Sequence, residues 1–158
     1  MGDDDAMTTT LSQRDGMKVL RQTLTVCSEA RRDALDITAD VRGTLEDAGI
    51  HSGLVIVNCL HTTCSVLVAE ARPALLEDFV GLMGHVIEDG TPYLHNDPRL
   101  SGCERGNATA HLRAVLLGHS VAIGITDGGL LLNGSEAILL AEWDGPRARR
   151  VHVQVMGV

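Results

Sequence analysis

Aromatic residues are almost absent from this 158-residue chain: one Phe, one Tyr and one Trp, 2% in all. Base stacking on an aromatic platform is therefore excluded as its main chemistry. Basic residues are also scarce, 13 against 21 acidic, and the formal charge of -8 repels phosphate backbones and anionic membranes. No apolar run reaches the ~18 residues of a membrane helix. The opening Met1-Gly2-Asp3-Asp4-Asp5 has the wrong charge for a secretion signal. The four cysteines, Cys27, Cys59, Cys64 and Cys103, show no C-x-x-C spacing. That argues against a structural zinc and, with no secretion signal, for free buried thiols in a cytoplasmic protein. P-loop, G-x-G-x-x-G and G-x-S-x-G motifs are missing too.

What is present is aliphatic. Hydrophobic residues make up 44% of the chain, enough for one core in one domain. Residues 1–16 are polar and acidic and read as a flexible tail before a domain over 17–158. Met17 to Ser28 is rich in Val, Leu and Thr and reads as a strand or strand pair. Asp36-Ile37-Thr38 offers capping oxygens to a helix carrying Val41, Leu45 and Ala48, stopped by Gly49. Leu54–Leu60 and Thr63–Ala69 read as strands. Pro73 opens a helix with Leu75, Leu76, Phe79, Leu82, Met83 and Val86 on one face. The spacing predicts another helix, from an Asn107 cap to Gly118, with Leu112, Val115 and Leu116 inside. Strands follow, with turns at Asp127-Gly128 and Asp144-Gly145-Pro146. In Val151-His152-Val153-Gln154-Val155 the valines mark a buried face. The order predicts an α+β domain, mostly an antiparallel β-sandwich with two or three helices.

The chemistry-bearing residues sit near predicted strand ends and loops. His61-Thr62-Thr63 lies between two strands, at a sheet rim; the same letters also make an ordinary turn. Glu70 follows the next strand and, if buried near His61, would serve as a general acid or base. Glu88 to Gly106 is a long Gly/Pro-containing loop holding Tyr93-Leu94-His95-Asn96-Asp97. There Asp97 is placed to orient an imidazole or hold a cation; a solvated loop explains it equally. Asn107 and His111 share a helix face near an N-terminus that favours anions. His61, His95 and His111 together could ligate a divalent cation, zinc or magnesium, although no local ligand spacing supports it. Arg147, Arg149 and Arg150 form a basic run that reads as a solvated turn or a phosphate contact.

Taken in order, these motifs resemble the YjbQ family, also described as secondary thiamine-phosphate synthases. The matching residues are Asp36-Ile37-Thr38, His61-Thr62-Thr63, Glu70, Tyr93-Leu94-His95-Asn96-Asp97 and Asn107-Ala108-Thr109-Ala110-His111-Leu112. They continue with Leu116-Leu117-Gly118-His119-Ser120, Asp127-Gly128, Glu142-Trp143-Asp144-Gly145-Pro146-Arg147 and Val153-Gln154-Val155-Met156-Gly157. The resemblance implies an α+β sandwich assembling as a homotrimer, with polar sites near subunit boundaries. It implies an activity joining a hydroxymethylpyrimidine diphosphate to a thiazole phosphate, with release of pyrophosphate. His61, Glu70, His95, Asp97, Asn107 and His111 fall on its polar motif positions; from these, His61, Glu70, Asp97 and Asn107 are expected to be catalytic and His61, His95 and His111 to be the metal ligands. Two departures stand out. Ala69 replaces a common Asn, and Asn133-Gly134-Ser135-Glu136 stands where the family usually has Gly-Thr-Trp-Gln. A metal-dependent hydrolase or lyase and a non-catalytic ligand-binding trimer are the alternative readings.

Overall fold

A computed structural model describes residues 9–14 and 16–158. The fold is two antiparallel sheets with helices against them. The larger sheet contains β1 (Thr9–Arg14), β2 (Met17–Cys27), β9 (Ala148–Gly157), β4 (Gly53–Cys59), β6 (Ser120–Thr126) and β7 (Gly129–Leu130), in that order. The smaller has β3 (Asp33–Asp36), β8 (Glu136–Glu142) and β5 (Cys64–Glu70). The helices are α1 (Thr38–Ala48), α2 (Pro73–Val86), the four-residue α3 (Pro98–Ser101) and α4 (Ala108–Leu117). This is the expected α+β sandwich in one domain. None of the described helices is long and apolar enough to cross a membrane.

Strand alternation builds the core. On β9, Val151, Val153 and Val155 are fully buried, and on β4 Val55 and Val57 are. From the smaller sheet, Val66 on β5 and Ile138 and Leu140 on β8 face them, and Val41, Leu45 and Ala48 of α1 complete the cluster. The same period sends Leu139 and Ala141 to the outer face of β8. There Ala141 and Trp143 meet Met83 of α2 and Ala110 and Ala114 of α4 in a second cluster. Trp143 is buried, donates to Ser65 Oγ at 3.2 Å and meets Phe79 edge-on, centroids 5.8 Å apart.

Local signals act as their chemistry dictates. Asp127 and Gly128 both take positive φ, 52° and 76°, between β6 and β7, the turn that the Asp-Gly pair predicts. The Thr38 N–H donates to Asp36 Oδ1 at 2.9 Å. The Thr38 hydroxyl accepts the Ile138 N–H at 2.8 Å, fastening α1 to β8.

Two expectations are corrected. The tail expected over 1–16 contains β1, paired in register with β2 from Thr9↔Gln22 to Arg14↔Met17. Backbone ladder bonds hold this exposed edge strand without an apolar face. Residues 1–8 lie outside the described residues. In α4, Leu112, Val115 and Leu116 are exposed, at 40%, 72% and 58%. The buried face is Ala108, Thr109, Ala110, Arg113 and Ala114 instead. Arg113 accounts for the rotation: its guanidinium donates to the Met83 and Ile87 carbonyls and to Asp89, so the helix turns small residues and one satisfied cation inward.

Leu140 is fully buried between the sheets. Leu140→Ala should cost ~2–5 kcal/mol by chemical denaturation. A loss below ~1 kcal/mol would contradict this core assignment.

Candidate active site

The polar residues of the sequence motifs separate into two places. One is centred on α4. The 3-10 turn Leu94–Asn96 and the start of α4 enclose a cavity of about 470 Å³, lined by Tyr93, Leu94, His95, Ala108, His111 and Leu112. His95 and His111 meet edge to face, ring centroids 5.0 Å apart at 80°. A backbone hydrogen bond with Thr62 joins His111 to the His61-Thr62-Thr63 loop. Burial lowers the His111 pKa from its ordinary value, and His95 adds to the fall. The Thr62 bond and Asp144 oppose this without reversing it. The imidazole is therefore held neutral at pH 7 and competent to accept a proton.

The Asn107 side chain does not cap α4. Its Nδ2 donates to Asp144 Oδ2 at 3.0 Å, and Asn96 Oδ1 instead accepts the Ala108 N–H at 3.0 Å. Asn107 Oδ1 and His95 Nε2 are buried polar atoms without a protein hydrogen-bond partner. Asp144 also pairs with Arg105 at 3.1 Å and Arg147 at 3.8 Å. The arginines stand partly exposed beside the start of α4.

His61 is held differently. Its Nε2 accepts the Arg150 N–H at 2.7 Å, so the neutral ring carries its proton on Nδ1. Burial, then Arg149 and Arg150, lower its pKa. Behind it lies a buried ion pair. Glu142 ends β8 on the inward face of Ile138 and Leu140, and Arg149 starts β9 on the inward face of its valines. The Arg149 Nε donates to Glu142 Oε2 and Nη2 donates to Oε1 at 2.6 Å. Arg149 Nη2 also donates to Thr63 Oγ1 at 3.1 Å, and the Asp144 N–H to Glu142 Oε1 at 2.8 Å. Burial opposes ionisation of Glu142, but the bonds from Arg149 and Asp144 outweigh it and hold its pKa low. By sequence the basic run reads as a solvated turn or a contact with a phosphate or another subunit's carboxylate; Arg149 instead pairs with Glu142 of its own chain, and its inward register on β9 is the signal for that.

The other place is the far end of β5. Glu70 is six residues from Cys64, about 20 Å along the strand, so it is not near His61. It ion-pairs with Arg72 and lines a shallow cleft with Asp36, Ser135 and Glu136. Hence the expected acid–base role beside His61 fails within one chain. Asp97 likewise orients no imidazole. It accepts the Arg99 N–H and the Arg99 side chain, at 2.9 and 2.6 Å, and starts α3. Arg99 pulls its pKa down. A three-histidine metal centre does not fit this chain. Among the described residues no three His, Cys, Asp or Glu side chains are grouped to hold a metal. His61 Nε2 is spent on the Arg150 N–H, which leaves only His95 and His111 side by side.

Both depressed histidines bear on stability. The unfolded rings protonate near the ordinary 6.5, the folded ones only at lower pH. Their contribution is complete above pH 6.5 and is lost as pH falls from there through the folded values. The low pKa of Glu142 adds a second loss below its ordinary 4.5. Thermal melts should show Tm falling between pH 7 and pH 5, less so in His61→Gln/His111→Gln. A flat profile, or an unchanged slope in that variant, would contradict the assignment.

The family model described as UPF0047 protein YjbQ-like matches residues 22–158. A UPF0047 protein of Methanothermobacter thermautotrophicus is 36% identical over 141 residues, 89% of this chain and 94% of that protein. YugU of Bacillus subtilis, also named a UPF0047 protein, is 31% identical over 86% of this chain and 98% of its own length. The crystal structure of a protein of unknown function from Sulfolobus solfataricus P2, described as YbjQ-like, matches with TM-score 0.84 and 29% identity. It covers 90% of this chain and 99% of that one. A hypothetical protein from Aeropyrum pernix K1 matches with TM-score 0.80 and 36% identity, over 87% of this chain and 98% of that one. Whole-length agreement in sequence and fold places this chain in the YjbQ-like UPF0047 protein family.

Proposed function

We propose that this protein is an enzyme acting on a small phosphorylated molecule in the His95–His111 cavity. The observation that carries the reading is His95 Nε2, a buried, unpartnered polar atom on the cavity lining, with Asn107 Oδ1 at the start of α4 likewise unpartnered; His119 Nε2, beyond the other end of α4, is also unpartnered. Leaving such atoms unpaired costs roughly 1–3 kcal/mol each, which a bound ligand would recover. Beside the start of α4, Arg105 and Arg147 share Asp144 and supply the local positive charge that an overall acidic surface needs for an anionic substrate. The finer reading is a thiamine-phosphate synthase-like transferase. In that reaction the pyrimidine methylene–oxygen bond breaks, pyrophosphate leaves with its electron pair, and the thiazole nitrogen bonds the methylene carbon. The arginines and the α4 N-terminus would stabilise the departing charge. The step moves no proton, so neutral His111 would position the substrate by hydrogen bonding, with His61 fixing the Thr62 loop against it.

The reading includes a homotrimer, in keeping with the family resemblance. Leu112, Val115 and Leu116 make an exposed apolar face on the helix that carries His111, the kind of surface a second copy covers.

Purified protein should form thiamine phosphate from the two substrates, with and without Mg²⁺ in the assay. His111→Ala should lower kcat/KM on the order of 10²-fold, the scale for losing a substrate-positioning group. Arg105→Ala should act mainly on KM. No product above blank with tight ligand binding would favour the non-catalytic binder; neither product nor binding would reject the site. Sedimentation should show a trimer that Val115→Asp dissociates, whereas a monomeric parent protein would overturn the assembly.

A further inference from the structure

A second reactive group lies on the inward side of the His61 loop. β4 ends at Cys59 and β5 begins at Cys64, and the four residues between them are Leu60, His61, Thr62 and Thr63. The two strands belong to different sheets. Cys59 shares the inward face of Val55 and Val57, Cys64 that of Val66, so both sulfurs enter the sandwich from opposite sides at the same end. The two thiols interact with each other, which lowers the Cys59 pKa and raises that of Cys64. Cys64 also bonds Glu142, and Arg149 lies close to both sulfurs. Cys59 bonds the backbone of His61 at 3.7 Å. Both thiols are free, and neither takes part in the proposed reaction.

We propose that Cys59 and Cys64 are a redox-sensitive dithiol, oxidised by a hydroperoxide to a disulfide that brackets the loop carrying His61. Three arrangements support this. Both side chains enter the sandwich at the same end and interact there, so they are placed to pair. The connecting loop is short and superficial, with Leu60 45% exposed, so a local opening admits a small oxidant. The Cys59 pKa is lowered, chiefly by Cys64 and then by the His61 backbone and Arg149 against the opposing burial, which favours the thiolate that attacks peroxide.

The chemistry balances with hydrogen peroxide as oxidant. The Cys59 sulfur attacks one peroxide oxygen, the O–O bond breaks, and the leaving hydroxide takes a proton to become water. Cys59 is then a sulfenic acid. The Cys64 sulfur attacks Cys59, the S–O bond breaks, and a second water leaves with the Cys64 proton. Two thiols lose two electrons, and the peroxide gains them as two waters. Closing the bond removes the Cys64 hydrogen bond from Glu142. It thereby couples oxidation state to the ion pair that also holds Thr63.

Alkylation mapping of the full chain tests this. Tryptic fragment 43–99 contains Cys59 and Cys64 and no other cysteine. Protein treated with hydrogen peroxide, unfolded and exposed to N-ethylmaleimide should yield this fragment with no adduct. Dithiothreitol before alkylation should restore both adducts. Cys64→Ser should halt at a Cys59 sulfenic acid that dimedone traps; the wild-type mapping decides the matter if that variant fails to fold. The proposal is overturned if the fragment keeps two adducts while exposed Cys27 oxidises. It is equally overturned if the loss is irreversible, or if Cys59 or Cys64 is found linked to Cys27 or Cys103. The result is independent of any thiamine phosphate assay.

Discussion

The Glu142–Arg149 ion pair is the constraint on which the site depends. It joins the last residue of β8 to the start of β9, so it ties the small sheet to the large one at one end of the sandwich. Both side chains are nearly inaccessible, at 0% and 5% exposure. Removing two charges from water is costly, and only bidentate geometry and further hydrogen bonds offset it. Here those bonds come from Ser28, the Asp144 N–H and Thr63. Each involves a segment just outside a strand end. Gly145 matches this crowding, since a Cβ there would lie 2.9 Å from Glu142 Cγ and 2.3 Å from the Ala30 carbonyl oxygen.

From this pair the cavity is reached in two steps. Asp144 is fixed by its N–H on Glu142 and holds Asn107 and Arg105, at the start of the helix that carries His111. Thr63 is fixed by Arg149, next to Thr62, whose backbone bonds His111. A buried charge pair thus positions two loops against one helix. An apolar replacement of the same volume would fill the space but would offer neither loop a hydrogen bond.

Much of the fold was legible in the sequence because it follows period and turn chemistry. The alternating valines of β9, the Asp127-Gly128 turn and Pro73 at the first turn of α2 act as local rules predict. What was not legible depends on partners distant in sequence. β1 has no apolar face and exists through its ladder with β2. The apolar residues of α4 point outward because Arg113 finds carbonyls 26 and 30 residues away. Among the site residues, His95 and His111 meet and Asn107 sits at the start of the same helix on Asp144, whereas Glu70 and Asp97 are held by arginines two residues along the chain. Motif order could not reveal that Glu70 lies a strand's length from His61. The Ser135 and Glu136 departures lie at that distant end beside Glu70, not in the cavity.

A double-mutant cycle on the ion pair tests the central claim most directly. Unfolding free energies would be measured for Glu142→Leu, Arg149→Met and the double variant. The account predicts that each single change costs roughly 3–5 kcal/mol, from stranding a buried charge, and that the double variant recovers most of that loss. Simple additivity of the two costs, or single losses under about 1 kcal/mol, would show that Glu142 and Arg149 are not a coupled buried ion pair.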